Sequence, residues 1–368
     1  MPLSTSSSDS VFERSVPQGR WVLAGLMAVI VTLVVITAWE FNVRGQGYTP
    51  ALNDTGDRWS RIRARVGKES GQTVIVGSSR IQFDFDLDTY ASTMNTDRPL
   101  QLAMPGANPV ILLEDVAEVE GFDGTLILGV SPGLWFVPEG FPVDWANNAI
   151  GRYKNWSPSQ KIGVVLASVL QSRLAFINPE DLTLNALLNQ IQLEERPGAV
   201  PNLPPVLPAY FAGMDKHRQA RMWDRCDFGT ERAKLIQQTW IPLFTPPPPP
   251  PHLSPEEFHE MMKANAEQYL ERIRVAVDKI RSRGADVLFI RPPSTNTVRE
   301  LEVKFAARER NWDLFLQVTG APGIHFEDHP ELAAFDCPEW SHLTAEDAVR
   351  YTEALMPLIK TALASGGD

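Results

Sequence analysis

Gly77-Ser78-Ser79-Arg80 follows the apolar run Thr73-Val74-Ile75-Val76, and far along the chain Glu339-Trp340-Ser341-His342 precedes a helical stretch beginning at Thr344. A serine hydroxyl is a poor nucleophile until a base removes its proton; imidazole is the usual base, and a carboxylate orients the ring. Ser79, His342 and Glu339 supply those three groups, and Asp336 is a second candidate for the acid. Acyl transfer also needs donors for a tetrahedral oxyanion. The backbone N–H groups of Ser79 and Gly106 and the side-chain amide of Asn108 are the candidates. Taken alone, Gly-Ser after a strand is ordinary turn chemistry. The weight lies in the order: serine after the first apolar run, glycine after the second, acid-x-x-His before the last helix.

The elements that must position these groups are short apolar runs alternating with helical material. Strands are expected at 73–77, 99–104, 124–130, 286–291 and, more weakly, 323–326. Helices are expected at 57–70, 110–122, 254–284, 297–320 and 344–364, the last with Thr344 as N-cap. This rhythm specifies an α/β fold with a mostly parallel five-stranded sheet covered on both faces. Ligands of such sheets bind at the carboxyl ends of the strands. Arg291, just past the fourth run, could therefore grip a substrate carboxylate or phosphate, or form a salt bridge with an acid. Asp84, Asp86 and Asp88 read as the solvent face of an alternating segment. His325 and His329, with Glu327 and Asp328, would need a helix to share a metal, which Pro330 opposes.

The stretch 138–252 breaks the rhythm. It holds a helical segment, "PSQKIGVVLASVLQSRLAFI", then Pro-rich stretches ending in six consecutive prolines at 246–251. Such a run forms a stiff extended spacer that cannot join a helix or a central strand. The region reads as an insertion that caps the sheet or presents a partner surface.

Residues 21–39 carry no charge and are bracketed by Trp21 and Trp39. That is the length and flanking chemistry of a membrane span in contact with the lipid bilayer. A cleaved signal peptide is the competing reading, but its apolar region would be shorter. A slight excess of Arg before the span puts residues 1–20 in the cytoplasm as a short tail, with 40–72 as linker and surface helix outside. The 368 residues carry a net charge of −11, and no basic patch interleaved with aromatics occurs, which argues against a nucleic-acid partner. Cys226 and Cys337 could pair in an oxidising compartment but form no metal spacing.

Gly77-Ser78-Ser79 resembles the first motif of the SGNH (GDSL-like) hydrolase superfamily, with Ser79 at the nucleophile position. Gly106 in "AMPGAN" is similar to its oxyanion glycine, and "EWSHLT" resembles its last motif, with His342 as base and Glu339 in the acid's place. The family's third motif, G-x-N-D, is matched here by Gly129-Val130-Ser131-Pro132, which lacks the Asn. The resemblance implies an SGNH-like, flavodoxin-like three-layer sandwich built from 73–137 and 253–368, working without a cofactor. The single span and the insertion resemble the membrane-anchored branch that serves polysaccharide O-acetylation, such as the alginate O-acetylation proteins. That branch implies a serine esterase or O-acyltransferase at the bacterial inner membrane, facing the periplasm. Its expected partners are an acylated glycan and a multi-span membrane O-acyltransferase. The alternative is a catalytically weak or inactive scaffold that binds one of the two.

Overall fold

Side-chain alternation along each strand sorts the interior into two cores. The computed structural model describes residues 19–177, 182, 184, 211–246 and 248–365. The expected tail, apart from residues 19 and 20, and the Pro-rich stretch 196–210 lie outside them. The strands are β1 Thr73–Val76, β2 Leu100–Gln101, β3 Thr125–Gly129, β4 Ala212–Met214, β5 Ala220–Met222, β6 Asp286–Arg291 and β7 Gly323–His325. Five form one sheet in the order β2-β1-β3-β6-β7, and every pairing in it is parallel. Val74, Val76, Leu126, Leu128, Val287 and Phe289 point to one face, where helices Pro109–Ala117 and Pro255–Arg281 pack. Ile75, Ile127, Leu288, Ile290 and Ile324 point to the other, beneath helix Ala345–Ser365. Both faces are covered, as continuously apolar parallel strands require.

Local chemistry sets several boundaries. Ser254 and Glu257 form a reciprocal capping box at the start of the long helix, and Gly284 follows its end with φ +86°. The Asp347 N–H donates to Thr344 Oγ1 at 3.0 Å, so the last helix is capped by the expected residue. Other boundaries are corrected. The helix expected at 57–70 spans only Gly56–Arg63. The helix expected at 297–320 breaks at Ala306 (φ −131°, ψ 57°) and resumes through a π turn into Leu314–Thr319. The strand expected at 99–104 is reduced to Leu100–Gln101. It is an edge strand whose outer carbonyls, those of Gln101 and Ala103, are taken by the buried Arg218 guanidinium at 2.7 and 2.9 Å. A side chain from the insertion thus covers the edge where another strand could have added.

The insertion brings its own antiparallel pair, β4 and β5, and the helix Glu231–Phe244. It docks through a third, smaller core in which Phe211, Met222, Cys226 and Ile236 meet Phe83. Arg218 also clasps Asp54 of the linker through two 2.7 Å bonds, and Gln219 Oε1 accepts the Leu87 N–H. Cys226 and Cys337 are free, buried thiols. At the N-terminal end, helix Trp21–Gly45 is long and apolar enough to cross a membrane.

One close approach fixes where the first helix after β1 starts. A Cβ at Gly129 would lie 2.3 Å from Ile81 Cβ, and one at Gly77 2.8 Å from the Gly129 carbonyl oxygen. Only glycines let β3 and the Gly77 turn meet this closely. Gly129→Ala is expected to destabilise the fold by about 1–3 kcal/mol through overpacking, read as a lower urea midpoint at unchanged slope.

Candidate functional site

The site is assembled by pairing one helix with one loop. Helix Ser79–Asp84 begins where β1 ends, and the loop 339–343 precedes the last helix. Three helix residues meet three consecutive loop residues. Arg80 Nε donates to Ser341 Oγ at 3.0 Å, the Phe83 ring lies 4.6 Å from the His342 ring, and Asp84 Oδ1 accepts the Leu343 N–H at 2.9 Å. Ser79 lies one helical turn before Phe83, on the same face of that helix.

His342 is fully buried. Its Nδ1 lies 3.0 Å from Glu339 Oε1, which also accepts the backbone N–H groups of Ser341 and His342. Trp340, with φ +77°, supplies the left-handed turn that lets the Glu339 carboxylate fold back onto the residues that follow it. Trp240 Nε1 donates to the second oxygen, Glu339 Oε2. Phe83, Phe211 and Trp240 surround the imidazole at 4.6, 5.3 and 5.7 Å between ring centroids. Its Nε2 has no hydrogen-bond partner among the described residues. Buried polar atoms are nearly always paired, which makes the unpaired Nε2 of an oriented ring a candidate proton acceptor. Asp336, the other candidate acid, is exposed and accepts the Cys337 N–H.

The remaining predicted residues divide. Ser78 Oγ is buried and sits 2.5 Å from Ser131 Oγ, joining the carboxyl ends of β1 and β3. Ser79 is half-buried, and no hydrogen bond joins it to His342. Met104 N–H donates to the Gly77 carbonyl at 3.1 Å, which lays the turn containing Gly106 beside the serines. Gly106 has φ +66°, and a Cβ there would meet Phe141 Cε1 at 3.4 Å. Asn108 is committed elsewhere. Its Oδ1 caps helix Pro109–Ala117 through Val110 N–H, and its amide donates to the Val137 carbonyl at 2.9 Å and reaches Tyr269 Oη at 3.5 Å.

Arg291 faces the interior, not a ligand. It pairs with Glu302 at 2.6 Å, and Ser294 Oγ donates to the same carboxylate oxygen. Arg80 Nη1 approaches Glu302 Oε1 to 2.5 Å as an ion-pair contact without hydrogen-bond alignment, so two buried guanidiniums share one carboxylate. Burial pulls Arg291 down to about 10. Burial pushes Glu302 up, but the Arg291 and Arg80 charges outweigh it and hold its carboxyl below the usual range. Asp84 corrects the sequence reading as well. Residues 79–84 form a helix, and Asp84 is fully buried beneath it, while Asp86 is buried as the N-cap of helix Leu87–Met94. Burial holds the Asp84 carboxyl well above the usual range, opposed by its Leu343 bond. His325 is buried between Trp312 and Phe326, its Nδ1 accepting the Glu327 N–H.

No protein-family model matches this chain, and neither a curated protein nor a solved structure does. Four contributors to the site were not read from the sequence. Ser131 was visible as the residue just past β3, yet its bond to Ser78 depends on strand order. Arg80 followed Ser79 but carried no pattern of its own. Phe211 and Trp240 lie in the insertion, where no periodicity points at a histidine a hundred residues away in sequence.

Two outcomes follow. Glu302→Ala leaves two buried guanidiniums sharing no carboxylate and is expected to cost about 3–5 kcal/mol in chemical unfolding. Asp84 binds a proton in the folded state at pH values where the unfolded chain, with an ordinary carboxyl near 4, has released it. Stability should therefore fall as pH rises from about 4 toward the raised folded value. Asp84→Asn, which keeps an acceptor for Leu343 N–H, should flatten that slope in urea midpoints measured across pH.

Proposed function

We propose that the protein is a membrane-anchored serine esterase or O-acyltransferase acting on an extracytoplasmic carbohydrate. The observation that carries this reading is the buried His342, with Nδ1 on Glu339 and Nε2 unpaired, beside the helix that starts at Ser79. The doubly wound strand order supports it, since the crevice of such a sheet lies where the order reverses, between β1 and β3. The carbohydrate, the compartment and a membrane acyltransferase as partner rest on the resemblance of the motifs and on the apolar N-terminal helix.

Ser79 Oγ attacks the acyl carbonyl as its proton passes to His342 Nε2, and the imidazolium formed is stabilised by Glu339. The N–H groups of Ser79 and Gly106 stabilise the oxyanion. The leaving alkoxide takes the proton from His342, which leaves an acyl-Ser79 ester. Water or a sugar hydroxyl, deprotonated by His342, then releases the acyl group and restores the serine. Phe211 and Trp240 exclude water from the imidazole, and Trp240 fixes the carboxylate that orients it.

A second reading, an SGNH-like scaffold of weak or no activity, is favoured by specific features. The Asn108 amide is bonded elsewhere, Ser131 occupies the third-motif position, and Ser79 makes no bond to His342.

The two readings separate in one experiment on the detergent-solubilised full chain. A fluorophosphonate probe and a small acetyl ester should report a serine that Ser79→Ala removes, with Glu339→Gln lowering kcat on the order of 10³- to 10⁴-fold. Labelling that survives Ser79→Ala defeats the Ser79 assignment. Background rates in the parent with either donor favour the scaffold.

A further inference from the structure

Helix Pro158–Gln171 presents an apolar face that no part of the described chain covers. Its inward side, Val164, Ala167 and Gln171, lines a cleft with Asn53, Thr55 and Arg58, where Arg58 and the Asn53 N–H both reach Gln171 Oε1 at 3.4 Å. Its outward side is Ile162, Val165, Leu166, Val169 and Leu170, spaced to form one continuous stripe. Ile162 is 62% exposed, Leu166 61% and Leu170 55%. Lys161, stacked over Trp156 at 5.3 Å, is the helix's single charged residue. A helix facing water carries its polar residues outward; this one carries branched aliphatics there. Ser157 and Gln160 form a capping box at its start, so the helix is set by local chemistry and needs no partner to define it.

What lies against that face follows from where the helix is attached. The segment just after it is bonded to the end of the apolar helix Trp21–Gly45. Glu40 accepts the N–H groups of Ala175 and Phe176, both at 2.9 Å, and Arg44 donates to the Arg173 carbonyl at 2.8 Å. Glu40 and Arg44 occupy the first one and a half turns beyond Trp39. At 1.5 Å per residue they stand within about 8 Å of the end of the uncharged stretch, which is the depth of the headgroup layer. The stripe therefore begins at the level where a membrane surface lies if residues 21–39 span it.

We propose that helix Pro158–Gln171 lies in the plane of the membrane surface, with Ile162, Val165, Leu166, Val169 and Leu170 in the boundary between headgroups and acyl chains. The inference rests on reading residues 21–39 as a membrane span. Interfacial helices bury their apolar face about 5–10 Å into that boundary. With the span and the helix joined through Glu40 and Arg44, the lipid holds the domain at two places. The domain then keeps one orientation toward the membrane surface.

The test uses the full chain in phosphatidylcholine–phosphatidylglycerol vesicles, with an environment-sensitive fluorophore on a single introduced cysteine. Cys226 and Cys337 are buried, and burial raises both thiols, the first to about 11, so the parent chain should not label. Positions are Leu166→Cys on the stripe, Ile30→Cys in the span and Glu267→Cys on an exposed helix face. Leu166→Cys should lose roughly half its emission to lipids carrying a nitroxide near the headgroup, as its depth requires. Ile30→Cys should respond most to a nitroxide deep in the chains, and Glu267→Cys to neither. An unquenched Leu166→Cys beside a quenched Ile30→Cys overturns the docking while leaving the span intact. A blue-shifted but unquenched Leu166→Cys means that protein covers the stripe, and overturns it too. No quenching at Ile30→Cys removes the span itself, and the docking with it.

Discussion

The pairing of Arg80, Phe83 and Asp84 with Ser341, His342 and Leu343 is the interaction on which the site depends. It joins the first helix after β1 to the loop before the last helix, two segments that meet only because the sheet lies between their strands. The helix can lie this close to the sheet because Gly77 and Gly129 leave room for Ile81. The helix that begins with Ser79 and the loop that carries His342 are thus joined by backbone and ring contacts. A direct hydrogen bond between the Ser79 and His342 side chains is not what holds the arrangement.

Beneath this pairing sits a set of ionisable groups that water does not reach. Glu302 lies between Arg80 and Arg291, Glu339 is folded onto the backbone of His342, and Asp84 holds Leu343. Buried ion pairs such as those of Glu302 contribute little net stability compared with apolar residues of the same size, but removing one partner is costly. Their effect is to restrict the arrangement. With two guanidiniums fixed on one carboxylate, the 79–84 helix has little freedom to slide along the loop it contacts.

The insertion completes the enclosure and is itself pinned at the sheet's edge. Arg218 reaches the carbonyls of Gln101 and Ala103 and the carboxylate of Asp54, tying linker, edge strand and insertion together. From that anchorage Phe211 and Trp240 close over His342, and Phe244 lies 5.3 Å from the Arg80 guanidinium. The same region carries the apolar helix Pro158–Gln171, and the segment after it is bonded to the end of helix Trp21–Gly45. One excursion of the chain therefore both walls the imidazole and meets the end of the N-terminal apolar helix.

The sequence by itself determined what depends on neighbours along the chain. The apolar runs gave the five parallel strands, Ser254 and Thr344 capped the helices expected of them, and residues 21–39 form a helix of spanning length. The spacing of Glu339 and His342 was also readable, because a carboxylate three residues before an imidazole can fold back within a single turn. Only the tertiary structure decided which polar residues are buried and whom they bind. Asp84 looked like a surface residue and lies under the site; Asn108 looked like an oxyanion donor and caps a helix; Arg291 could have gripped a substrate or paired with an acid, and it is locked to Glu302. Each outcome turns on a partner far away in sequence, such as Leu343 for Asp84, or Val137 and Tyr269 for Asn108. Burial and the demand that buried polar groups be paired are properties of the packed chain, and no local pattern encodes them.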